Sequence, residues 1–156
     1  MIRLEIPGWG ACELEHLVLD LNGTVALDGQ MIPGVDGRAE FLSTHLVVHL
    51  VTADTHGKAE ETSQRLRGRL VCIRPRHEAS QKQALVERLG AGQVVAIGNG
   101  ANDARMLSAA KLGIGVLGRE GLAVETLQSA DLVVGRIEDA LDLLLHPRRL
   151  VATLRR

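Results

Sequence analysis

Short aliphatic runs alternate with amphipathic stretches along almost the whole chain. Residues 2–6 and 12–16 alternate apolar and charged positions around Pro7-Gly8, the pattern of a half-exposed β-hairpin. From His16 onward the pattern changes. Residues 16–20 (His-Leu-Val-Leu-Asp), 46–52, 69–73, 93–97, 112–117 and 131–134 are short and almost continuously apolar. Between them the spacing predicts helices over 35–45, 56–67, 78–89, 102–110 and 120–129. Two further helices, 136–146 and 148–154, are separated by Pro147. Strand alternating with helix argues a parallel sheet covered on both faces, and unbroken apolar runs suit strands buried on both sides. The expected fold class is α/β: a three-layer, doubly wound, Rossmann-like parallel sheet. The expected organisation is one domain over residues 1–156, with an N-terminal hairpin (1–15) and a C-terminal helical tail (147–156).

Composition narrows the function. The chain of 156 residues has one Trp, one Phe and no Tyr, so its core is aliphatic and aromatic platforms for stacking bases are nearly absent. With 18 basic and 19 acidic residues the net charge is -1, which offers no basic footprint for nucleic acid or an anionic membrane. Cys12 and Cys72 lie outside any metal-binding spacing and read as two buried thiols in a reducing compartment. The first residues lack the apolar segment of a secretory signal, and no apolar run approaches the roughly 18 residues of a membrane span. A cytoplasmic protein is the expectation.

In a doubly wound sheet the ligand lies beyond the carboxyl ends of the strands. The residues there are chemically pointed. The first core strand ends in Asp20-Leu21-Asn22-Gly23-Thr24, the next in Thr52-Ala53-Asp54-Thr55, and the fourth in Gly98-Asn99-Gly100-Ala101-Asn102-Asp103; helix 78–89 carries Lys82. A carboxylate can attack phosphorus to form an acyl phosphate. A hydroxyl with neighbouring backbone amides can hold phosphoryl oxygens, and an ammonium can neutralise the attacked group. A further carboxylate can help hold Mg²⁺, which prefers oxygen ligands. Each residue taken alone also has a plainer reading: Asp20 as a strand-end cap, Lys82 as a solvated side chain with Lys58 as the spare candidate, Gly98–Asp103 as a turn with a helix N-cap. Asp28 and Asp54 read as loop or capping residues, with contact to substrate the alternative for Asp54. The six histidines show no ligand spacing, and His56 alone falls near the rim.

Taken together, the four segments resemble, in order and spacing, the four motifs of the haloacid-dehalogenase-like hydrolases. The Gly98–Asp103 segment is also similar to the phosphorylation domain of P-type ATPases, and the chain most resembles the small P-type-ATPase-like phosphatases of that superfamily. The resemblance covers roughly residues 14–146. It implies a Mg²⁺-dependent phosphohydrolase in which Asp20 is nucleophile and metal ligand. The backbone carbonyl of Asn22, Asn99 and Asp103 would complete or support the metal site. Thr52, with the backbone of Ala53 and Gly23, would bind phosphoryl oxygens, and Lys82 would bridge Asp20 and the phosphate.

Two features depart from the family pattern. Asn22 stands where these phosphatases carry an Asp that serves as general acid and base, and Asn99 stands where a metal-binding Asp is usual. An amide exchanges no proton near neutral pH, so slow turnover and weak Mg²⁺ binding are expected. A second reading follows from the same changes: a non-catalytic or regulatory protein that binds phosphate or a protein partner. The other departure is the missing cap. Thr52 follows Thr24 by 28 positions and Lys82 follows Thr52 by 30, which leaves room only for ordinary sheet and helix and a short flap at 25–33. Such a capless core takes a phosphorylated substrate of large size or borrows a neighbouring subunit as lid, as a homo-oligomer (dimer or tetramer).

Overall fold

The computed structural model describes residues 1–54 and 57–156. The chain opens with an antiparallel hairpin of β1 (Ile2–Ile6) and β2 (Gly10–Leu14). The first core strand, β3 (His16–Asp20), follows at once. A second hairpin, β4 (Ala26–Leu27) and β5 (Gln30–Met31), forms the flap. Then come α1 (Val35–Leu42), β6 (Val47–Thr52), α2 (Gly57–Arg65), β7 (Arg69–Cys72) and α3 (Glu78–Leu89). The second half holds β8 (Val94–Gly98), α4 (Ala104–Ala109), β9 (Leu112–Val116), α5 (Val124–Ser129) and β10 (Leu132–Val134). It ends with α6 (Ile137–Leu145) and α7 (Pro147–Leu154). Pro147 opens α7, where its missing N–H costs nothing.

Six strands form one sheet in the order β10-β9-β8-β3-β6-β7, with every pair parallel. From β3 the chain winds one way to β6 and β7, then returns to β8, β9 and β10 on the other side. The winding therefore reverses beside β3, and the carboxyl ends of β3, β6 and β8 border the crevice that this reversal opens. Side chains alternate between two cores. Leu17, Leu19, Val48, Leu50, Val95 and Ile97 pack with the α1 and α6 side; Val18, Val51, Val94 and Ala96 pack with α3 and α4. Burial on both faces explains the unbroken apolar runs of the four inner strands, whereas the edge strand β7 is only partly buried and Cys72 at its end is exposed, not buried as expected.

The flap hairpin is tighter than a loop. Asp28 and Gly29 both have positive φ (51° and 77°), the conformation of a two-residue hairpin turn, and Asp-Gly is the pair that favours it. Helix 120–129 also begins later than its spacing predicts. Gly121 has φ 85°, and the Ala123 amide donates to the Asn99 carbonyl at 2.9 Å, so residues 118–123 form a loop across the sheet end before α5 starts. Among the described residues no helix is long and apolar enough to cross a membrane.

A half-buried histidine pair ties β3 to β6: His16 Nδ1 lies 3.2 Å from the buried His49 Nε2. Burial, with help from His16 and Arg69, pushes His49 down to about 4. The imidazole is thus neutral in the fold, while an unfolded histidine titrates near 6.5. The unfolded chain binds more protons between those values. Stability from this group is complete above about pH 6.5 and is lost as pH falls through about 4. Chemical denaturation at pH 7 and pH 4.5 is expected to show the natural protein losing about 2 kcal/mol relative to His49→Asn across that interval, a comparison in which the opposite contribution of Asp20 cancels.

Candidate active site

Asp20 is the last residue of β3, 7% exposed, and reaches the crevice because the strand stops there. The turn after it needs Gly23, whose φ of 81° suits a residue without Cβ. That turn brings Thr24 back beneath the carboxylate. Thr24 Oγ1 lies 3.2 Å from Asp20 Oδ2 and 3.0 Å from Asn99 Oδ1. One hydroxyl proton serves two acceptors, so buried oxygen acceptors outnumber the protons available to them.

Lys82 comes from the first half of α3 and is 2% exposed. Its Nζ donates to Asp20 Oδ1 at 2.7 Å, to Asp103 Oδ1 at 2.6 Å and to Asn102 Oδ1 at 3.2 Å. Lys58, the alternative cation, lines a separate cavity beside the flap. Asp103 is fully buried. Its Oδ2 accepts the backbone amides of Asn99 and Gly100, both at 3.0 Å. Gly98 makes this possible, because a Cβ there would lie 2.5 Å from the Asp103 carboxylate.

Two buried carboxylates thus share one ammonium. Burial would lower the Lys82 pKa, but Asp20 and Asp103 outweigh it and raise it. The surplus negative charge falls on Asp20, which burial and then Asp103 push up to about 7 against the pull of Lys82. Removing the cation should be severe. Lys82→Met is expected to cost about 3–5 kcal/mol in urea denaturation, because it strands two buried carboxylates. Adding Asp20→Asn to that variant should recover part of the loss.

A cavity of about 210 Å³ opens over this cluster. Asp20, Asn22, Thr52, Ala53, Lys82 and Asn99 line it, together with Asp54, Glu78, Gly100, Asn102 and Glu120. Thr52 closes β6 and accepts the Asp54 amide at 3.0 Å through its hydroxyl. Six of the eight expected residues therefore meet in one place. The other two sit behind it. Asp103 does not line the cavity: one of its oxygens faces Lys82 and the other two backbone amides, so it positions the lysine instead of presenting a ligand. Gly23 supports the floor and borders a neighbouring cavity of about 500 Å³ between the flap and the start of α6. His56, named as near the rim, lies outside the described residues. Glu78, Asn102 and Glu120 were not anticipated. Asn102 stands within the fourth motif and Glu78 one helical turn before Lys82, signals that were present in the sequence.

The donors suit a hard cation. Among the described residues no group of three or more His, Cys, Asp or Glu side chains has metal-holding geometry. The oxygens are instead mixed: the Asp20 carboxylate and the Asn99 amide oxygen, both beside the single Thr24 proton, and the backbone of Asn22 at the same rim. Surplus negative charge and surplus acceptor oxygen both fit a divalent ion with one protein carboxylate and otherwise neutral ligands.

No family model matches the chain. A segment of 63 residues, 40% of this chain, is 54% identical to the uncharacterized protein MJ0073 of Methanocaldococcus jannaschii and covers 68% of that protein. A segment of 77 residues, 48% of this chain, is 38% identical to the phospholipid-transporting ATPase dnf1 of Schizosaccharomyces pombe, but spans only 5% of that transporter's length. Among solved structures, the 3-deoxy-D-manno-octulosonate 8-phosphate phosphatase of Moraxella catarrhalis, determined with magnesium and phosphate, superposes with a TM-score of 0.66 at 17% identity. The superposition covers 91% of this chain and 94% of that one. The chain has the fold of the haloacid-dehalogenase-like phosphatases, in a small form without a cap domain.

Proposed function

We propose that the chain is a Mg²⁺-dependent phosphohydrolase that works through an aspartyl phosphate on Asp20. The observation that carries this reading is a buried carboxylate at the switch point, held at 2.7 Å by a buried lysine, in a cavity that also contains Thr52 and the backbone of Ala53. An Asp20 oxygen forms a bond to phosphorus as the bond to the leaving oxygen breaks, and that oxygen departs with a proton from solvent. Water then attacks phosphorus, the Asp20–phosphorus bond breaks, and inorganic phosphate and the free carboxylate return. Thr52 and the Ala53 amide hold the transferring oxygens, while Lys82 and Asp103 fix the nucleophile. Asp20, the Asn22 carbonyl and Asn99 would hold Mg²⁺, which supplies charge neutralisation to the phosphoryl group. Asn22 exchanges no proton, so both steps lack general acid–base help and turnover is slow.

Phosphate-releasing neighbours of the same fold and the four converging segments support this reading over a purely binding role. The substrate is a phosphate ester. Without a cap, a second subunit closes the site, making the active form a homo-oligomer. The deciding experiment is phosphate release from an aryl phosphate with and without Mg²⁺, coupled to intact-mass detection of a phosphorylated chain. A protein that shows neither release nor a phospho-adduct supports the binding-only reading instead.

A further inference from the structure

One carboxylate reaches the cavity from outside the four motifs. Glu120 lies in the loop between β9 and α5, a part of the chain that contributes nothing to the four motifs. Its exposed side chain nevertheless lines the 210 Å³ cavity with Asp20 and Asn99. A methyl group placed on Gly23 would collide with Glu120 Oε2 and would lie 2.7 Å from Asn99 Nδ2. The Glu120 carboxylate and the Asn99 amide therefore flank the same point, directly over the turn that follows the nucleophile.

The loop is built to hold that position. Asn99 Nδ2 donates to the Gly121 carbonyl at 3.1 Å, and the Ala123 amide donates to the Asn99 carbonyl at 2.9 Å. Thr126 Oγ1 donates to the Gly100 carbonyl at 2.5 Å. The contact with Gly121 needs an amide at residue 99, since a carbonyl only accepts and a carboxylate cannot donate to it. Asn99 thus exchanges a charge for a tether, and the tether carries a carboxylate.

Resting on the phosphohydrolase reading above, we propose that Glu120 restores the lost negative charge to the Mg²⁺ site. The carboxylate delivered by the β9–α5 loop acts as the second anion facing the cation, beside Asp20. Asn99 acts both as a neutral oxygen donor and as the anchor that places Glu120.

The test is a calorimetric Mg²⁺ titration of the full chain, with no substrate, on the natural protein and on Glu120→Gln and Asp20→Asn. Expected are measurable binding by the natural protein, about tenfold weaker binding by Glu120→Gln, and loss of binding by Asp20→Asn. The metal-free unfolding midpoint of Glu120→Gln should stay unchanged, since an exposed carboxylate is removed, while the midpoint shift produced by Mg²⁺ should shrink. Glu120→Gln that binds Mg²⁺ as tightly as the natural protein overturns the role of Glu120 alone. Binding that is indifferent to Asp20→Asn, or absent from the natural protein, overturns the phosphohydrolase reading and this proposal with it.

Discussion

Asp20→Asn is expected to lose phosphate release by roughly 10⁴-fold or more, because an amide cannot form the acyl phosphate of the proposed reaction. The phospho-adduct should vanish from intact mass at the same time. Stability should move the other way from most substitutions of buried groups. In the folded protein two carboxylates compete for Lys82, and Asp20 is the one left with surplus charge. Asparagine keeps an oxygen that can accept Lys82 Nζ, removes that charge and leaves Lys82 paired with Asp103 alone. The unfolding midpoint of Asp20→Asn should therefore stay at or above that of the natural protein. Loss of activity with an intact midpoint separates a nucleophile from a structural carboxylate. A variant that keeps its activity ends the aspartyl-phosphate mechanism, and one that unfolds makes Asp20 chiefly a packing partner of Lys82.

Much of this site was legible in the sequence because its parts follow strands that announce themselves. Leu17, Val18 and Leu19 are buried in alternate cores, so the run they form is unbroken, and Asp20 marks where the run stops. The same holds for Thr52 after β6 and Gly98 after β8. Helix 78–89 was readable to the residue, and with it Lys82. What was not legible depended on chain crossing chain. Nothing local to Asp103 says that its carboxylate turns away from the cavity to meet two amides of its own loop and a lysine from α3. Glu120 was hidden for a similar reason. Residues 120–129 carry a helical spacing, yet the first of them are drawn out of the helix by hydrogen bonds to Asn99, more than twenty positions away. The glycines at 118 and 121 were the available sign that a helix would not begin there. The flap likewise had its sign in Asp28-Gly29, which two-residue strands are too short to reinforce.

The departure at Asn22 leads to the opposite kind of result, a gain. Asn22 is exposed at the cavity rim, two residues after the nucleophile, and its backbone bridges to Ala26 in the turn. An aspartate of the same shape fits there without repacking. It would protonate the departing oxygen in the first step and take a proton from water in the second, the two jobs no group now performs at that place. General acid–base assistance is worth about 10²–10⁴-fold, and Asn22→Asp is expected to raise turnover on an aryl phosphate within that range. The breakdown of the phosphoenzyme should gain most, since water is a poor nucleophile without a base, so the phospho-adduct seen at steady state should diminish as release accelerates. A rate that does not change would mean that Asp54, Glu78 or Glu120, the other carboxylates around the cavity, already moves the proton. The two outcomes also separate physiologies: a slow hydrolase limited by one missing proton carrier, or one whose acid has been relocated.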